Sequence, residues 1–469
     1  MPTSPPSKQE AFDALLRTRL AAFTRKAFST VDPSTPYSHN WHIDLIAEYL
    51  EACTRREIKR LIINIPPRAM KSISVTVAWP AWLLGLDPAE RIIAASYAHT
   101  LSLKHSIDTR LIVRSDWYQR VFPATRLVDD QDTKQKFLTT RRGMRYATSV
   151  DGSAIGEGGN FLIVDDPTSA TEALSDVQRT KANTWFDQGF ATRLNDKNDG
   201  VIVVVMQRLH AQDLTGHLLE KGGWEHLCLP AIAERNETIT FGRVSVTREA
   251  GEALHPAREG LAVLEAQKVA LGSYAFAGQY QQRPSPAEGG IFKAEWFRRY
   301  DKPRDQYQQV VQSWDTAIKT GQLNDPTVCE TWGVKPDGFD LLHVLRAKME
   351  YPDLKAKALT HAADWNPTAI LIEDKGSGQQ LIQDLRRETQ LPVIAVMPEN
   401  NKIIRASGVS AMVEAGRVFL PQQAPWLTDF EMELMTFPTA AHDDQVDSLS
   451  QFLEYKRSHV EPQLRIRSL

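Results

Sequence analysis

Cysteine is scarce: Cys53, Cys228 and Cys329 are the only three in 469 residues, widely spaced and odd in number. They supply neither a disulfide framework nor the paired spacing of a zinc site, and they fit a reducing compartment. Long apolar runs are missing too. The longest, such as Val201 to Met206, are strand-sized and too short for a bilayer crossing. Met1 to Glu10 is polar and proline-containing, unlike a secretory signal. No charge sign dominates, since 55 Lys and Arg against 58 Asp and Glu leave a net charge of −3. That excludes a globally basic nucleic-acid coat, while local basic stretches can still meet phosphate. Internal repeats and low-complexity segments are absent as well. Membrane, secreted and fibrous classes drop out. A soluble globular chain remains, 42% hydrophobic and 24% charged, long enough for two or three domains.

Texture divides the chain into four stretches. Residues 1–40 are polar and carry five prolines, which suggests an arm with a helix around Ala11 to Phe28 and then a loop. Residues 41–230 alternate short β-rich runs (Leu61 to Ile65, Arg91 to Ser96, Phe161 to Val164, Val201 to Met206) with helical segments such as Thr100 to Val113 and Asp176 to Arg193. That alternation predicts a parallel sheet flanked by helices. Residues 231–300 hold scattered Gly and Pro without a sustained strand pattern, and read as a linker or lid. In 301–469, Gln309 to Trp314, Thr327 to Val334 and Asp340 to Arg346 read as a meander, followed by a helix and a strand at Ala369 to Ile372.

Two constellations carry chemistry. In the first, the apolar strand Leu61 to Ile65 runs into Pro66, Pro67, Arg68, Ala69, Met70, Lys71 and Ser72 and then a helical stretch. Strand, tight loop, Lys-Ser and helix is the layout of a phosphate-binding loop: backbone N–H groups hold phosphates, Lys71 reaches the β/γ-phosphates and Ser72 ligates magnesium. The glycines of the standard pattern are replaced by Ile65 and Met70. A metal-dependent NTPase also needs an acid at the end of a neighbouring strand, and Phe161 to Val164 delivers Asp165 and Asp166. Asp165 is expected to hold magnesium and Asp166 to polarise the attacking water. Gln207, at the tip of the strand Val201 to Met206, is placed to sense the γ-phosphate.

The second constellation is a carboxylate set. Asp315 lies within a predicted strand, Glu373 and Asp374 end another, and Asp443, Asp444 and Asp447 open a helix on which i, i+3 and i, i+4 spacings share a face. Acids from two strands and a helix can converge on a pair of magnesium or manganese ions that activate water against a phosphodiester. Burying such acids together without cations would be costly. Strand order and spacing resemble an RNase H-like nuclease. The bland reading of each acid is a turn, a solvated strand end or a helix cap.

With both sets in order, the chain resembles the large terminase subunit of tailed bacteriophages. The resemblance rests on Leu61 to Ser72 (LIINIPPRAMKS), Leu162 to Pro167 (LIVDDP), Gln207 to Leu214 (QRLHAQDL), Gln279 to Pro284 (QYQQRP), Ser313 to Lys319 (SWDTAIK), Leu371 to Gly378 (LIEDKGSG) and His442 to Asp447 (HDDQVD). It implies an α/β chain with an N-terminal P-loop (ASCE/RecA-like) ATPase domain and a C-terminal RNase H-like nuclease domain. ATP-driven translocation of viral double-stranded DNA and two-metal cleavage of concatemers would follow. Carried over, Asp165 is the Walker B acid, and Asp166 stands where the family often has Glu. Arg68 is a basic loop residue placed to act in cis. Asp315, Glu373 (favoured over Asp374) and Asp447 are metal ligands, with Asp443 or Asp444 supporting. A finger from a neighbouring subunit would fall to Arg141, Arg142 or Arg145. Trp41 and His42 belong either near an adenine or in buried packing. ATP and Mg2+ are the implied cofactors, with Mn2+ supporting the nuclease. The implied partners are DNA, a small terminase subunit, a procapsid portal and further copies in a ring, all in the host cytoplasm. Two rivals are a helicase-like DNA-dependent ATPase without nuclease activity, and a virion structural or scaffold protein with a degenerate loop.

Overall fold

The computed structural model describes residues 7–150, 152, 156–284, 290–316, 326–397, 401–438 and 442–459, without the side chains of 129–131. It divides into two compact units, Met1–Gln267 with Ala275–Pro284, and Lys268–Tyr274 with Ser285–Leu469.

Eight strands build the sheet of the first unit: β1 (Arg60–Asn64), β2 (Arg91–Ser96), β3 (Leu127–Asp132), β4 (Lys136–Thr139), β5 (Met144–Ser149), β6 (Phe161–Asp165), β7 (Val201–Met206) and β8 (Glu225–Cys228). Their order is β3-β4-β5-β2-β6-β7-β1-β8. From β5 to β8 every pair is parallel, and β3 and β4 add an antiparallel fringe. The central strands are continuously apolar because helices cover both faces. Alternate residues serve two separate cores: Leu61, Ile63, Ile163 and Val203 pack on one side, and Ile62, Leu162, Val164 and Val204 on the other. Parallel strands send their C-terminal ends to one edge, so the segments after β1, β6 and β7 meet there. β7 lies between the other two, the interposed-strand order of an ASCE-type P-loop sheet.

Three expectations change in detail. The N-terminal helix is two helices, Lys8–Thr18 and Leu20–Val31, because Arg19 between them is extended (φ −132°, ψ 108°). The helix from Asp176 stops at Thr184 and continues as a π-helical turn, Trp185–Phe190, and a 3-10 turn, Ala191–Arg193. The supposed linker 231–300 contains a hairpin, β9 (Glu237–Phe241) and β10 (Val244–Arg248), within the first unit. Its strands alternate apolar and polar only briefly, which the surrounding Gly and Pro hide. Gly242 makes the turn at φ +55°, and Phe241 stacks on Tyr49 with ring centroids 3.8 Å apart.

In the second unit the strands are β11 (Arg298–Tyr300), β12 (Gln309–Asp315), β13 (Thr327–Lys335), β14 (Gly338–Ala347), β15 (Ala369–Glu373), β16 (Val393–Val396) and β17 (Val418–Pro421), in the order β11-β17-β14-β13-β12-β15-β16. β12 to β14 form the antiparallel meander, and β15 and β16 run parallel to β12. This is the RNase H order. The helix Asp444–Ser458 covers β12 and β13, with Phe452 stacked on Trp332 at 4.6 Å. Among the described residues no helix is long and apolar enough to cross a membrane.

Candidate functional site

The loop after β1 bends through two left-handed residues, Arg68 (φ +61°) and Met70 (φ +65°). Met70 occupies the place of the second glycine of the phosphate-loop pattern. A side chain there is strained by about 1–3 kcal/mol, and surrounding contacts must hold it. One such contact comes from His42. Its Nε2 donates to the Ala69 carbonyl at 3.3 Å, its Nδ1 accepts from the Asn40 amide, and that amide also donates to the Leu254 carbonyl at 2.8 Å. The ring is fully buried, and burial drives its pKa down to about 3. A neutral imidazole with both nitrogens engaged supports the loop from behind. Of the two placements left open for His42, the structure takes buried packing. Trp41 is partly buried on the same core, with the Arg248 guanidinium 5.7 Å from its ring. Arg68 is exposed, and Pro67 and Ala69 are half-buried beside it.

Lys71 and Asp166 meet as an ion pair of 2.6 Å, both largely shielded. Asp165 is fully buried at the end of β6, and its Oδ2 accepts from Thr76 Oγ1 at 2.7 Å. The Ser72 hydroxyl lowers the Asp165 pKa from nearby, and His105 Nδ1 stands 3.7 Å from the same Oδ2. Burial raises the pKa of both acids, Lys71 opposing it. Asp165 Oδ1 has no hydrogen-bond partner among the described residues. A buried carboxylate oxygen left bare beside a serine hydroxyl suits a magnesium ion.

Thr76 reaches Asp165 from an unusual helix. After Ser72 the chain runs as a π-helical turn, Ile73–Ala78, and then as the α-helix Trp79–Leu86 with Pro80 near its start. Proline has no N–H, so the carbonyl four residues back, that of Thr76, loses its helical partner. Arg145 Nη2 stands there instead, at 3.4 Å. Arg145 is fully buried, so it is withdrawn as a finger for a neighbouring subunit. Arg141 and Arg142 are exposed, in the turn before β5 and therefore at the sheet edge opposite Lys71.

At the tip of β7, the Gln207 N–H donates to Asp166 Oδ1 at 3.3 Å, and Gln207 Oε1 is buried without a partner among the described residues. The next residues are shaped by Asp213, which accepts from Arg208 Nε and the Leu209 N–H at 3.0 Å each and from the Gly216 N–H at 2.9 Å. Gln282, from the QYQQRP stretch, accepts the Arg208 N–H at 2.9 Å. Thr76 and His105 escaped sequence reading, and Asp213 and Gln282 lay within the quoted QRLHAQDL and QYQQRP stretches without a role of their own. Only Asp213 carried a local signal, as a helix N-cap.

In the second unit, alternation decides which acids share a face. Val311 faces one core and Trp314 the other, so Asp315 lies on the Val311 side; likewise Glu373 lies on the Leu371 side. The parallel register, Trp314 beside Ile372, then sets Asp315 and Glu373 next to each other at the strand ends. The helix Asp444–Ser458 is fastened over them by reciprocal bonds. Ser313 Oγ donates to the Ser448 carbonyl (2.8 Å), Ser448 Oγ to the Ser313 carbonyl (2.9 Å), and Gln451 to Ser313 Oγ (2.9 Å). Asp447, one residue before Ser448, therefore comes over the strand ends.

Two cations from the helix Lys402–Glu414 join the cluster. Arg405 Nη2 pairs with Asp447 Oδ1 at 2.7 Å, and its Nη1 stands 3.7 Å from Glu373 Oε2. Lys402 pairs with Asp443 and, at 3.1 Å, with Asp447 Oδ2. Burial, then repulsion by Asp447, Glu373 and Asp444, pushes the Asp315 pKa well above the carboxylate range. Burial also raises Asp447, to about 6, against Arg405 and Lys402. Asp374 lies one residue beyond β15, its N–H bonded to the Val396 carbonyl at 2.8 Å. Asp444 is buried 4.0 Å from Arg346, and Asp443 precedes the helix without a side-chain capping bond. Among the described residues no three His, Cys, Asp or Glu side chains stand close enough to hold a metal ion.

Fold and site define the second unit as an RNase H-like domain with a carboxylate centre, in a chain that also carries a P-loop unit. Residues 312–456, within the second unit, match the protein-family model of the terminase RNaseH-like domain. No curated protein matches the chain. Similar solved structures include the large terminase of a thermophilic bacteriophage, with 12% identity, 96% of this chain and 99% of that one covered, and a TM-score of 0.49. The large terminase of bacteriophage HK97 shows 12% identity, 94% and 99% coverage and a TM-score of 0.38. The large terminase nuclease of thermophilic phage G20c, with bound magnesium, shows 15% identity, 36% and 98% coverage and a TM-score of 0.29.

Proposed function

We propose that the chain is the motor-nuclease of a phage DNA-packaging terminase, hydrolysing ATP in the first unit and cutting double-stranded DNA in the second. The observation that carries this reading is one chain holding a Lys71–Asp166–Asp165 centre at one edge of a parallel sheet and a match to a terminase RNaseH-like domain.

In the first unit the γ-phosphate competes with Asp166 for Lys71, and backbone N–H groups of the loop from Pro67 to Ser72 hold the other phosphates. Asp166, freed of its ammonium partner, orients and polarises the attacking water. Ser72 and Asp165 would hold magnesium, which would spread the charge of the phosphates. Because the Gln207 N–H touches Asp166, release of that carboxylate is felt at Arg208 and passes to Gln282. Arg68, exposed in the loop, stabilises transition-state charge. In the second unit Asp315, Glu373 and Asp447 are the acids of the cutting centre, where a divalent metal would supply the water-activating charge. Sequence preference is slight, because such a centre reads phosphates and not bases.

The helicase-like alternative needs the second-unit acids to be unrelated, whereas Asp447 and Glu373 share Arg405. A small subunit, a portal, a ring of copies and the host cytoplasm complete the proposed setting. Plasmid cleavage with manganese, scored beside ATP turnover, tests the reading. Asp315→Asn and Asp447→Asn should lose cutting and keep turnover; wild-type cutting by both would overturn it.

A further inference from the structure

Arg145 is fully buried in the first unit and takes no part in the hydrolysis steps above. A guanidinium taken out of water is costly unless a carboxylate pairs with it. Among the described residues Arg145 makes no ion pair, and its Nε and Nη1 have no hydrogen-bond partner. The acid that acts on it, Asp108, pairs instead with Lys104 at 2.7 Å. What Arg145 does hold is the Thr76 carbonyl, at 3.4 Å, which Pro80 leaves without a helical N–H. We infer that Arg145 is a positioning residue of the ATPase centre: by holding the Thr76 carbonyl it fixes the turn whose hydroxyl holds Asp165 Oδ2, and so leaves Asp165 Oδ1 free for the magnesium ion that comes with nucleotide. The inference rests on the ATPase reading and deepens it.

Three observations support it. First, one residue makes both contacts. The Thr76 carbonyl accepts from Arg145, and the Thr76 hydroxyl donates to Asp165 Oδ2 at 2.7 Å. Thr76 belongs to the π-helical turn Ile73–Ala78, an uncommon conformation that recurs at functional sites.

Second, Arg145 reaches the centre only through an intermediary. It lies level with Ile92 and, across β2, with Phe161, four residues before Asp165 along β6. The cation that lowers the Asp165 pKa is Lys71, followed by the hydroxyls of Thr76 and Ser72. Arg145 thus serves Asp165 by placing Thr76.

Third, a competing donor makes that placement matter. His105 Nδ1 stands 3.7 Å from the same Oδ2 and is buried without a hydrogen-bond partner among the described residues. When the Thr76 hydroxyl drifts away, His105 is at hand to take Oδ2, and the carboxylate turns from its present setting.

Nucleotide affinity is the test, read on the full-length chain with fluorescent N-methylanthraniloyl AMP-PNP, which is not hydrolysed. Affinity is measured in Mg2+ and in EDTA, and the ratio of the two is the magnesium gain. Arg145→Met and Arg145→Gln should each lower that gain by about tenfold, the worth of a hydrogen bond to a charged group, and leave the affinity in EDTA within about twofold of wild type. Arg145→Lys, which can still donate to the Thr76 carbonyl, should restore most of the gain. Thr76→Val combined with Arg145→Met should lose no more than the worse single variant, because both act on one contact to Asp165. An unchanged gain in the Arg145 variants, equal weakening in Mg2+ and EDTA, or losses that add in the double variant overturns the inference and leaves the ATPase reading standing. Failure of both Arg145→Met and Arg145→Gln to fold overturns it too, by making Arg145 a structural residue. Wild type that binds no nucleotide overturns both.

Discussion

Lys71→Met keeps most of the stem and removes only the ammonium, which makes it a probe of both stability and catalysis. In the folded chain it strands the Asp166 carboxylate, about four-fifths shielded from solvent, with Asp165 as its neighbour. Breaking a buried pair from one side typically costs about 3–5 kcal/mol. Part of that cost is relieved by a proton. Burial already raises Asp166 above 3.8, and removing Lys71 deletes the main influence pulling it down. An acid whose folded pKa exceeds its unfolded value holds more protons in the native state, so its contribution is present at low pH and lost as pH rises through the folded value. The Lys71→Met deficit should therefore be small near about pH 4 and grow toward about pH 8, reaching roughly 3 kcal/mol there. For a unit of this size that lowers the melting temperature by roughly 6–12 °C. Adding Asp166→Asn removes the stranded charge and should restore most of the loss. ATP turnover should fall by orders of magnitude in Lys71→Met and stay low in the double variant, since phosphate stabilisation is not restored. Thermal melts across pH, with turnover in the same preparations, read both effects. A single variant that melts like wild type at about pH 8 would refute the reasoning, as would a double variant no more stable than the single one.

Thr76→Val should raise the magnesium concentration needed for half-maximal ATP turnover by about tenfold, the worth of a hydrogen bond to a charged group, with Thr76→Ser restoring it; unchanged magnesium dependence would remove Thr76 from the site. A fragment starting at Gly290 retains Ile291 and Phe292, which belong to the second core, and should fold and nick plasmid without ATP; insolubility from several nearby starts would contradict it. His42, lowered from 6.5 to about 3, contributes stability that is complete above 6.5 and lost as pH falls, about 1.4 kcal/mol per pH unit. His42→Gln should therefore flatten the acid side of the melting profile, and parallel acid slopes for the two proteins would contradict this.

Legibility in the sequence followed burial. The strands Arg91–Ser96 and Val201–Met206 coincide residue for residue with their apolar runs, because central parallel strands are covered on both faces and need no alternation. Lys71, Asp165, Asp315 and Glu373 were legible because each ends or follows such a run. Residues that act across long separations left no local trace. Thr76 meets Asp165 from 89 positions away and Arg405 meets Asp447 from 42, and each looks like an ordinary helix residue in its own neighbourhood. The hairpin of β9 and β10 was lost for a different reason: two five-residue strands with a polar outer face carry too little apolar signal to stand out from the turns around them.

The loop before Lys71 bends at Arg68 and Met70 without a glycine at either place. A glycine there would roam widely in the unliganded chain and surrender that freedom when phosphate arrives. Here the freedom is already gone, removed by side chains that restrict the backbone and by the His42 contact to the Ala69 carbonyl. Nucleotide therefore meets a cradle whose disorder was spent during folding, and association carries a smaller entropic penalty than a glycine-built loop would impose. The same stiffness means that a ligand of the wrong shape would find little give in the backbone, so under the proposed reading the bend would select its phosphate group as well as hold it.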